Sequence, residues 1–215
     1  FVLQVVLIVF YLFLSKNYLV DLRIHQVNNL FENNYYIAIL FTAFCFLVLI
    51  NGTNFIDGIN GLTGSYYLYI LIIFLLFYED MNIELNLTFV KILILALIVF
   101  IFNNFFSKSL LGDGGAYLIA FIIGAFLIDL YLKNPLISPY FITLLLWYPV
   151  YENLFSIIRK KFLKQKATAP DNDHLHQLVY FFLKKKFKYA NNITGITLSF
   201  INLLIFLIGV NFYNK

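Results

Sequence analysis

Asn51-Gly-Thr-Asn-Phe-Ile-Asp-Gly-Ile-Asn-Gly-Leu-Thr-Gly-Ser65 stands between two apolar runs, residues 35–51 and 62–78. It packs four glycines, three asparagines and an aspartate into a chain that is 62% hydrophobic and 12% charged. Glycines interrupt helices and let backbone amides approach a ligand, while Asn and Asp offer oxygens to a cation or a polar substrate. Asn51, Asn54 and Asp57 recur every three residues, so a helix continuing through them would carry all three on one side. A charge such as Asp57 is costly at membrane depth unless it is paired, hydrated or bound to a cation. The plainer alternative is an interfacial turn, because Asn and Asp also favour caps and turns.

The surrounding chain leaves little choice of solvent. With 26 Phe, 16 Tyr and a mean hydropathy of +0.85, a soluble globule would expose large apolar surfaces. The apolar stretches are continuous rather than alternating, which favours helices over a barrel. The fold expected is therefore all-α: a polytopic transmembrane helix bundle of about seven helices, near 1–15, 35–51, 62–78, 89–106, 115–132, 137–151 and 193–212. Residues 1–215 read as a single integral membrane domain, with loops near 51–65, 103–115 and 152–192. The lone Cys45 lies in an apolar run and reads as a small buried hydrophobe, with no disulfide framework or cysteine-rich metal site.

Charge distribution orients the bundle. Arg159, Lys160, Lys161, Lys164, Lys166, Lys184, Lys185, Lys186 and Lys188, nine of the fifteen Lys and Arg, fall in the segment 152–192. Such a concentration places that segment in the cytoplasm. Threading back through seven crossings brings residues 51–65 and 103–115 to the same face. The acidic link 79–84, residues 16–34 and the C-terminus fall outside. The net charge of +4 thus reflects membrane topology and phosphate handling, and gives no reason to expect nucleic acid.

Two further motifs share the cytoplasmic face. Asn103 and Lys108 precede Leu111-Gly-Asp-Gly-Gly-Ala-Tyr117, where Asp113 between glycines can offer both oxygens to Mg²⁺. The amides of Gly114 and Gly115 open the next helix and could hold an anion, or the whole could be a glycine turn with Asp as its cap. In Pro170-Asp-Asn-Asp-His174-Leu-His176-Gln177, two histidines at i and i+2 suit phosphate contact or proton transfer and not a helical zinc motif. Arg159 and its neighbouring lysines would attract a diphosphate, although flanking lysines commonly serve as topology anchors. His25 reads as a surface residue.

On these residues the chain resembles the polyprenyl-phosphate N-acetylhexosamine-1-phosphate transferase superfamily, glycosyltransferase family 4, which includes the phospho-N-acetylmuramoyl-pentapeptide transferases. The resemblance rests on Asn51-x-x-Asn54-x-x-Asp57-Gly58-x-Asn60-Gly61-Leu62, Asn103 ahead of Leu111-Gly112-Asp113-Gly114-Gly115, Trp147-Tyr-Pro-Val-Tyr-Glu152 running to Arg159, and Asp171-x-x-His174-Leu-His176-Gln177. It implies a bacterial inner-membrane enzyme, multi-pass, with its active site facing the cytoplasm. Such an enzyme moves a sugar-1-phosphate from a UDP-sugar to undecaprenyl phosphate, releases UMP and starts a cell-envelope glycan. It implies Mg²⁺, with Mn²⁺ as a substitute, held by Asp113 with Asn54 beside it. Catalytic roles are implied for Asp57, Asp113, His174 and His176, and substrate contacts for Asn51, Asn54, Asn60, Asn103, Lys108, Gly114, Arg159 and Gln177. A homodimer is left open.

Asn60 stands where many members have Asp, and Gln177 where many have a third His; both variants occur in active branches, and the Gln ending is similar to the branch initiating surface polysaccharides. The family's adjacent Asp-Asp pair precedes the helix that resembles residues 1–15. The chain is therefore expected to be an N-terminally truncated piece, inactive alone, with three upstream helices missing. The competing readings are a transporter or lipid-binding membrane protein with broken helices, and a catalytically dead paralogue.

Overall fold

The computed structural model describes residues 2–164 and 173–215. Those residues form ten helices and no strand: α1 (Val2–Ser15), α2 (His25–Asn33), α3 (Tyr35–Ile56), α4 (Leu62–Phe77), α5 (Leu87–Phe105), α6 (Gly112–Lys133), α7 (Pro139–Leu145), α8 (Trp147–Phe162), α9 (Leu175–Lys184) and α10 (Ala190–Val210). Helices α3, α5, α6 and α10 are long and apolar enough to cross a membrane, α7 and α8 together make a bent fifth candidate, and α1 and α4 are shorter apolar helices. The protein is a polytopic helical membrane protein; six of the seven expected segments each coincide with one of these elements, and 137–151 falls across α7 and the start of α8.

Helix α3 lies at the centre, packed against α8, α6, α1, α2 and α4. Its approach to α8 depends on Gly52: a Cβ there would lie 2.0 Å from the Pro149 carbonyl oxygen. Asn153 Nδ2 on α8 donates to Val48 O at 2.9 Å, a buried bond that ties the two helices across the same seam. One apolar cluster joins Ile8 and Leu12 to Phe46, Leu49 and Ala120 between α1, α3 and α6. A second is built on Tyr66, Tyr67, Ile70 and Phe74 of α4, with Leu127, Leu145 and Phe206.

Two expectations need correction. The segment 137–151 is not one rod: α7 and α8 meet at 77°. Pro149 lacks the N–H that would bond Leu145 O four residues back. The Tyr66 hydroxyl donates to that carbonyl instead, at 2.7 Å, and accepts from the Tyr148 N–H at 3.4 Å. Tyr66 thereby serves a backbone carbonyl and an N–H that the break would otherwise leave without a helical partner.

The loops expected near 51–65, 103–115 and 152–192 are also largely helical. Helix α3 runs through Asn51 and Asn54 to Ile56, leaving a turn only at 57–61, while α6 already begins at Gly112. Helix α8 extends to Phe162 because it pairs a polar inner side with an apolar outer one. Glu152, Asn153, Ser156 and Lys160 are buried, while Leu154, Phe155, Ile157, Ile158 and Phe162 are exposed. The link 16–34, for which the sequence made no structural expectation, contains α2, anchored by Phe31 against Phe41 at 5.3 Å between ring centroids.

The polar connections gather at two opposite ends. At one, the Arg23 guanidinium donates to the carbonyls of Asn214, Pro135 and Ile137 at 2.8, 3.1 and 3.2 Å, and Asn134 Oδ1 accepts from the Glu84 N–H at 2.7 Å. At the other lie the C-terminal ends of α3 and α5 and the N-terminal ends of α4, α6, α9 and α10.

Candidate active site

The site begins where α3 stops. Asp57 is the C-cap of α3, and the chain turns at Gly61, whose φ of +79° falls in the left-handed region that glycine adopts without strain. Asn104 locks the turn: its Oδ1 accepts from the Gly61 N–H at 2.5 Å, and its Nδ2 donates to Ser109 O at 2.8 Å. One buried amide thus connects the turn to the loop that leads into α6.

That loop brings the first carboxylate pair together. Asn54 Nδ2 donates to Asp113 Oδ1 at 2.9 Å, bridging the last turn of α3 to the first turn of α6. The Asp57 carboxyl is raised from 3.8 to about 6, chiefly by burial, with the Asp113 charge adding to the rise and polar groups of Thr63 and Gly112 working against it. A half-buried acid held back from ionising beside an exposed one forms an arrangement that a divalent cation relieves. Among the described residues no group of three or more His, Cys, Asp or Glu could hold a metal by itself. Asp57 and Asp113 are two carboxylates, the number Mg²⁺ usually takes before water and substrate phosphates complete its shell. Asn54 presents its nitrogen to Asp113, so a ligand role for its oxygen requires the amide to turn over.

The second half of the site is built on Glu152. This carboxylate is 2% exposed, and both of its oxygens are engaged: Oε2 lies 2.8 Å from His174 Nδ1, and Oε1 accepts the Leu175 N–H at 2.9 Å. A carboxylate at Nδ1 fixes the imidazole tautomer and directs Nε2 outward from the pair. The His174 ring packs against Phe55 at 5.0 Å and stacks with His176 at 5.7 Å and 10°. His176 is fully buried, with Nδ1 3.5 Å from the Tyr148 hydroxyl. Its Nε2 has no hydrogen-bond partner among the described residues and abuts Gly58, where a Cβ would come within 3.4 Å. Burial is the main reason that His176 is lowered from 6.5 to about 4, with the adjacent His174 adding to the fall and Glu152 opposing it. His176 is thus neutral at physiological pH.

Asp57 and Gly58 are consecutive, so the acid corner and the histidine cluster meet at the end of α3. Other expected site residues stand further out. Asn51 and Asn103 donate to carbonyls of their own helices, Leu47 O at 2.7 Å and Val99 O at 2.8 Å. Gly114 is exposed, with open space where a Cβ would stand. Lys108 lies over the Phe106 ring at 5.8 Å. Arg159 Nη1 donates to Asp173 O at 2.6 Å, tethering the residue ahead of the histidines to α8. Gln177 Oε1 accepts from the His174 N–H at 3.4 Å and acts as a helix cap.

Asn60 turns away from the acid corner. Its N–H donates to Asn191 Oδ1 at 2.7 Å, and its Nδ2 donates to Ser107 Oγ and Asn192 Oδ1 at 3.0 and 3.2 Å. Pro170, Asp171 and Asn172 of the histidine motif, and Lys166, lie outside the described residues. Glu152 and Asn104 are the structurally decisive residues that sequence reasoning left without a role. A lone carboxylate in an apolar helix was a usable signal for Glu152.

A membrane-embedded helical bundle that gathers two aspartates, two histidines and a buried glutamate at one end defines a polytopic enzyme-like protein with a phosphate- and cation-compatible site. Residues 1–131 match the model of glycosyl transferase family 4, and the chain belongs to that family. It is 29% identical over 134 residues to a probable undecaprenyl-phosphate N-acetylglucosaminyl 1-phosphate transferase of Bacillus subtilis (strain 168), covering 61% of this chain and 37% of that protein. It is 34% identical over 101 residues to a phospho-N-acetylmuramoyl-pentapeptide-transferase of Dictyoglomus turgidum (strain DSM 6724 / Z-1310), covering 46% and 31%. The chain thus spans about a third of the length of these curated relatives. No solved structure matches it significantly.

Proposed function

We propose that this chain forms the catalytic end of an enzyme that transfers a sugar-1-phosphate, N-acetylhexosamine-1-phosphate in the reading favoured here, from a UDP-sugar to undecaprenyl phosphate. A phosphate oxygen of the lipid attacks the β-phosphorus of the UDP-sugar, the bond from that phosphorus to the UMP oxygen breaks, and UMP leaves. The observation that carries the proposal is the meeting of the Asp57–Asn54–Asp113 corner with the Glu152–His174–His176 cluster. Family membership and the two named relatives support the same reaction class.

Asp113 and Asp57 would hold Mg²⁺, which supplies charge neutralisation to the diphosphate when bound. Asp57, raised toward neutral pH, is suited to accept a proton on substrate binding or to ionise as a cation arrives. Glu152 holds the His174 ring in one orientation at the edge of the acid corner, placing an imidazole beside the phosphates. Phosphoryl transfer of this kind is carried mainly by positioning and charge stabilisation, and this end of the bundle is rich in groups for both. The site faces the cytoplasm of a bacterial inner membrane in this proposal, on the strength of the lysine-rich segment that borders it.

The test is made on the full-length protein in lipid nanodiscs with undecaprenyl phosphate and UDP-N-acetylglucosamine. Mg²⁺-dependent UMP release is expected, with Asp113→Ala reducing it at least a hundredfold. Undiminished release in that variant would remove Asp113 from the site.

A further inference from the structure

A second recess opens at the same end of the bundle, on the side away from Asp57 and Asp113. It is a groove of about 1070 Å³ between α4, α5, α9 and α10, at the upper limit of ordinary small-molecule sites. None of Asp57, Asp113, His174 or His176 lines it, and its lining holds no carboxylate. Its mouth carries Lys184, Lys188 and the amide side chains of Asn60, Asn191 and Asn192.

The floor has the opposite character. Leu68, Ile98, Ile101, Phe102 and Phe105 line it, and from Phe105 to Ile98 is seven residues, so the apolar part descends about 10 Å along α5 from the helix end. That is the depth from headgroups into the upper acyl layer. Ile98 and Phe102 are 48% and 64% exposed, and α5 is the least buried of the four long helices. The groove is therefore open sideways to the bilayer. Tyr180 and Tyr189 stand at its rim with the Lys184 and Lys188 ammonium groups over their rings, at 5.6 and 5.7 Å. Tyrosine and lysine side by side suit the headgroup level.

We propose that this groove is a binding site for an anionic phospholipid of the surrounding membrane, distinct from the catalytic site. Its phosphate and headgroup lie between Lys184 and Lys188, with the amides of Asn191 and Asn192 beside them, and an acyl chain lies along Ile98 and Phe102. Two positive charges without a neighbouring carboxylate select an anionic headgroup over a zwitterionic one. The apolar floor selects a lipid over a soluble phosphate. Asn60 belongs both to the mouth of the groove and to the turn that holds Asp57, so an occupant braces that turn from its outer side. The proposal stands independently of the transfer reaction.

The test is native mass spectrometry of the full-length protein released from nanodiscs of phosphatidylglycerol and phosphatidylcholine. Each lysine at an anionic surface is worth roughly a fivefold change in affinity. Wild type is expected to retain phosphatidylglycerol preferentially, and Lys184→Gln with Lys188→Gln to weaken that retention roughly 25-fold on the same scale. The double variant Lys185→Gln with Lys186→Gln, equal in charge but outside the groove lining, is expected to weaken it clearly less, since those lysines touch no headgroup held in the groove. Ile98→Trp, which fills the floor and leaves every lysine in place, is expected to lose it as well. Equal loss in both lysine pairs, no preference in wild type, or displacement of phosphatidylglycerol by one equivalent of undecaprenyl phosphate would each overturn the assignment.

Discussion

Asp57 and His176 titrate in the same pH window with opposite consequences for stability, and two substitutions separate them. His176 is lowered from 6.5 to about 4, so its folded environment prefers the neutral ring. The stability this represents is fully present above pH 6.5 and is lost as pH falls toward 4. The difference corresponds to about 3 kcal/mol for an enclosed ring. Asp57 is raised from 3.8 to about 6, so its folded environment prefers the protonated acid. The folded state binds the extra proton between those values, and stability rises as pH falls through 6 toward 3.8. The same arithmetic gives about 3 kcal/mol for a dry site, and about 1–2 kcal/mol once solvent access to this half-buried group is allowed for.

Between pH 6.5 and 4 the two groups together should cost the wild type about 1–2 kcal/mol. Asp57→Asn removes the compensating rise, so its loss should steepen to about 3 kcal/mol. His176→Gln should reverse the trend, gaining about 1–2 kcal/mol over the same range. The assay is denaturant unfolding in detergent micelles without divalent cations at half-unit pH steps, reading differences between variants so that other titrating groups cancel. Parallel pH profiles for wild type and Asp57→Asn would refute the burial argument for Asp57. A continued decline in His176→Gln would refute it for His176.

Further substitutions probe the remaining contacts. Glu152→Gln leaves one of two buried donors, His174 Nδ1–H or the Leu175 N–H, facing an amide NH₂; it should cost about 1–3 kcal/mol in stability and cut turnover more than it raises KM for the nucleotide sugar, as measured by steady-state UMP release. Gly52→Ala drives a Cβ into the Pro149 carbonyl, and forcing α3 from α8 should cost at least about 3 kcal/mol, visible as a fall in micellar Tm. Tyr66→Phe removes the donor that serves Leu145 O at the break, with an expected loss of about 1–3 kcal/mol in the same unfolding assay.

Much of the bundle was legible because spanning helices announce themselves by length and hydropathy, and because the lysines of 159–188 sort one end from the other. The break at Pro149 was less so. A proline in a membrane helix is often tolerated, and the decisive partner, Tyr66, is distant in sequence. The three-residue spacing of Asn51, Asn54 and Asp57 left a continuing helix and an interfacial turn both open; α3 does run on to Ile56, yet only Asn54 and Asp57 reach the corner with Asp113. Asn51 spends its amide on Leu47 O. Asn60, expected at the substrate from the resemblance, is carried toward α10 because the helix ends at Ile56 and the left-handed Gly61 turns the chain. Helix α9 was hidden because its exposed Leu178, Phe181 and Phe182 sit among charges that read as a linker. Glu152 was visible as an anomaly, but its partner across the bundle could not be chosen before the fold was known.

The central claim is that a sugar moves together with its phosphate at the end of this bundle. UDP-N-acetylglucosamine labelled with ³²P at the β-phosphorus, incubated with the full-length protein, Mg²⁺ and undecaprenyl phosphate, tests it directly. The label should appear in the organic-extractable lipid, with unlabelled UMP formed in equal amount. Label remaining in the aqueous phase as UDP, with sugar alone on the lipid, would contradict the account.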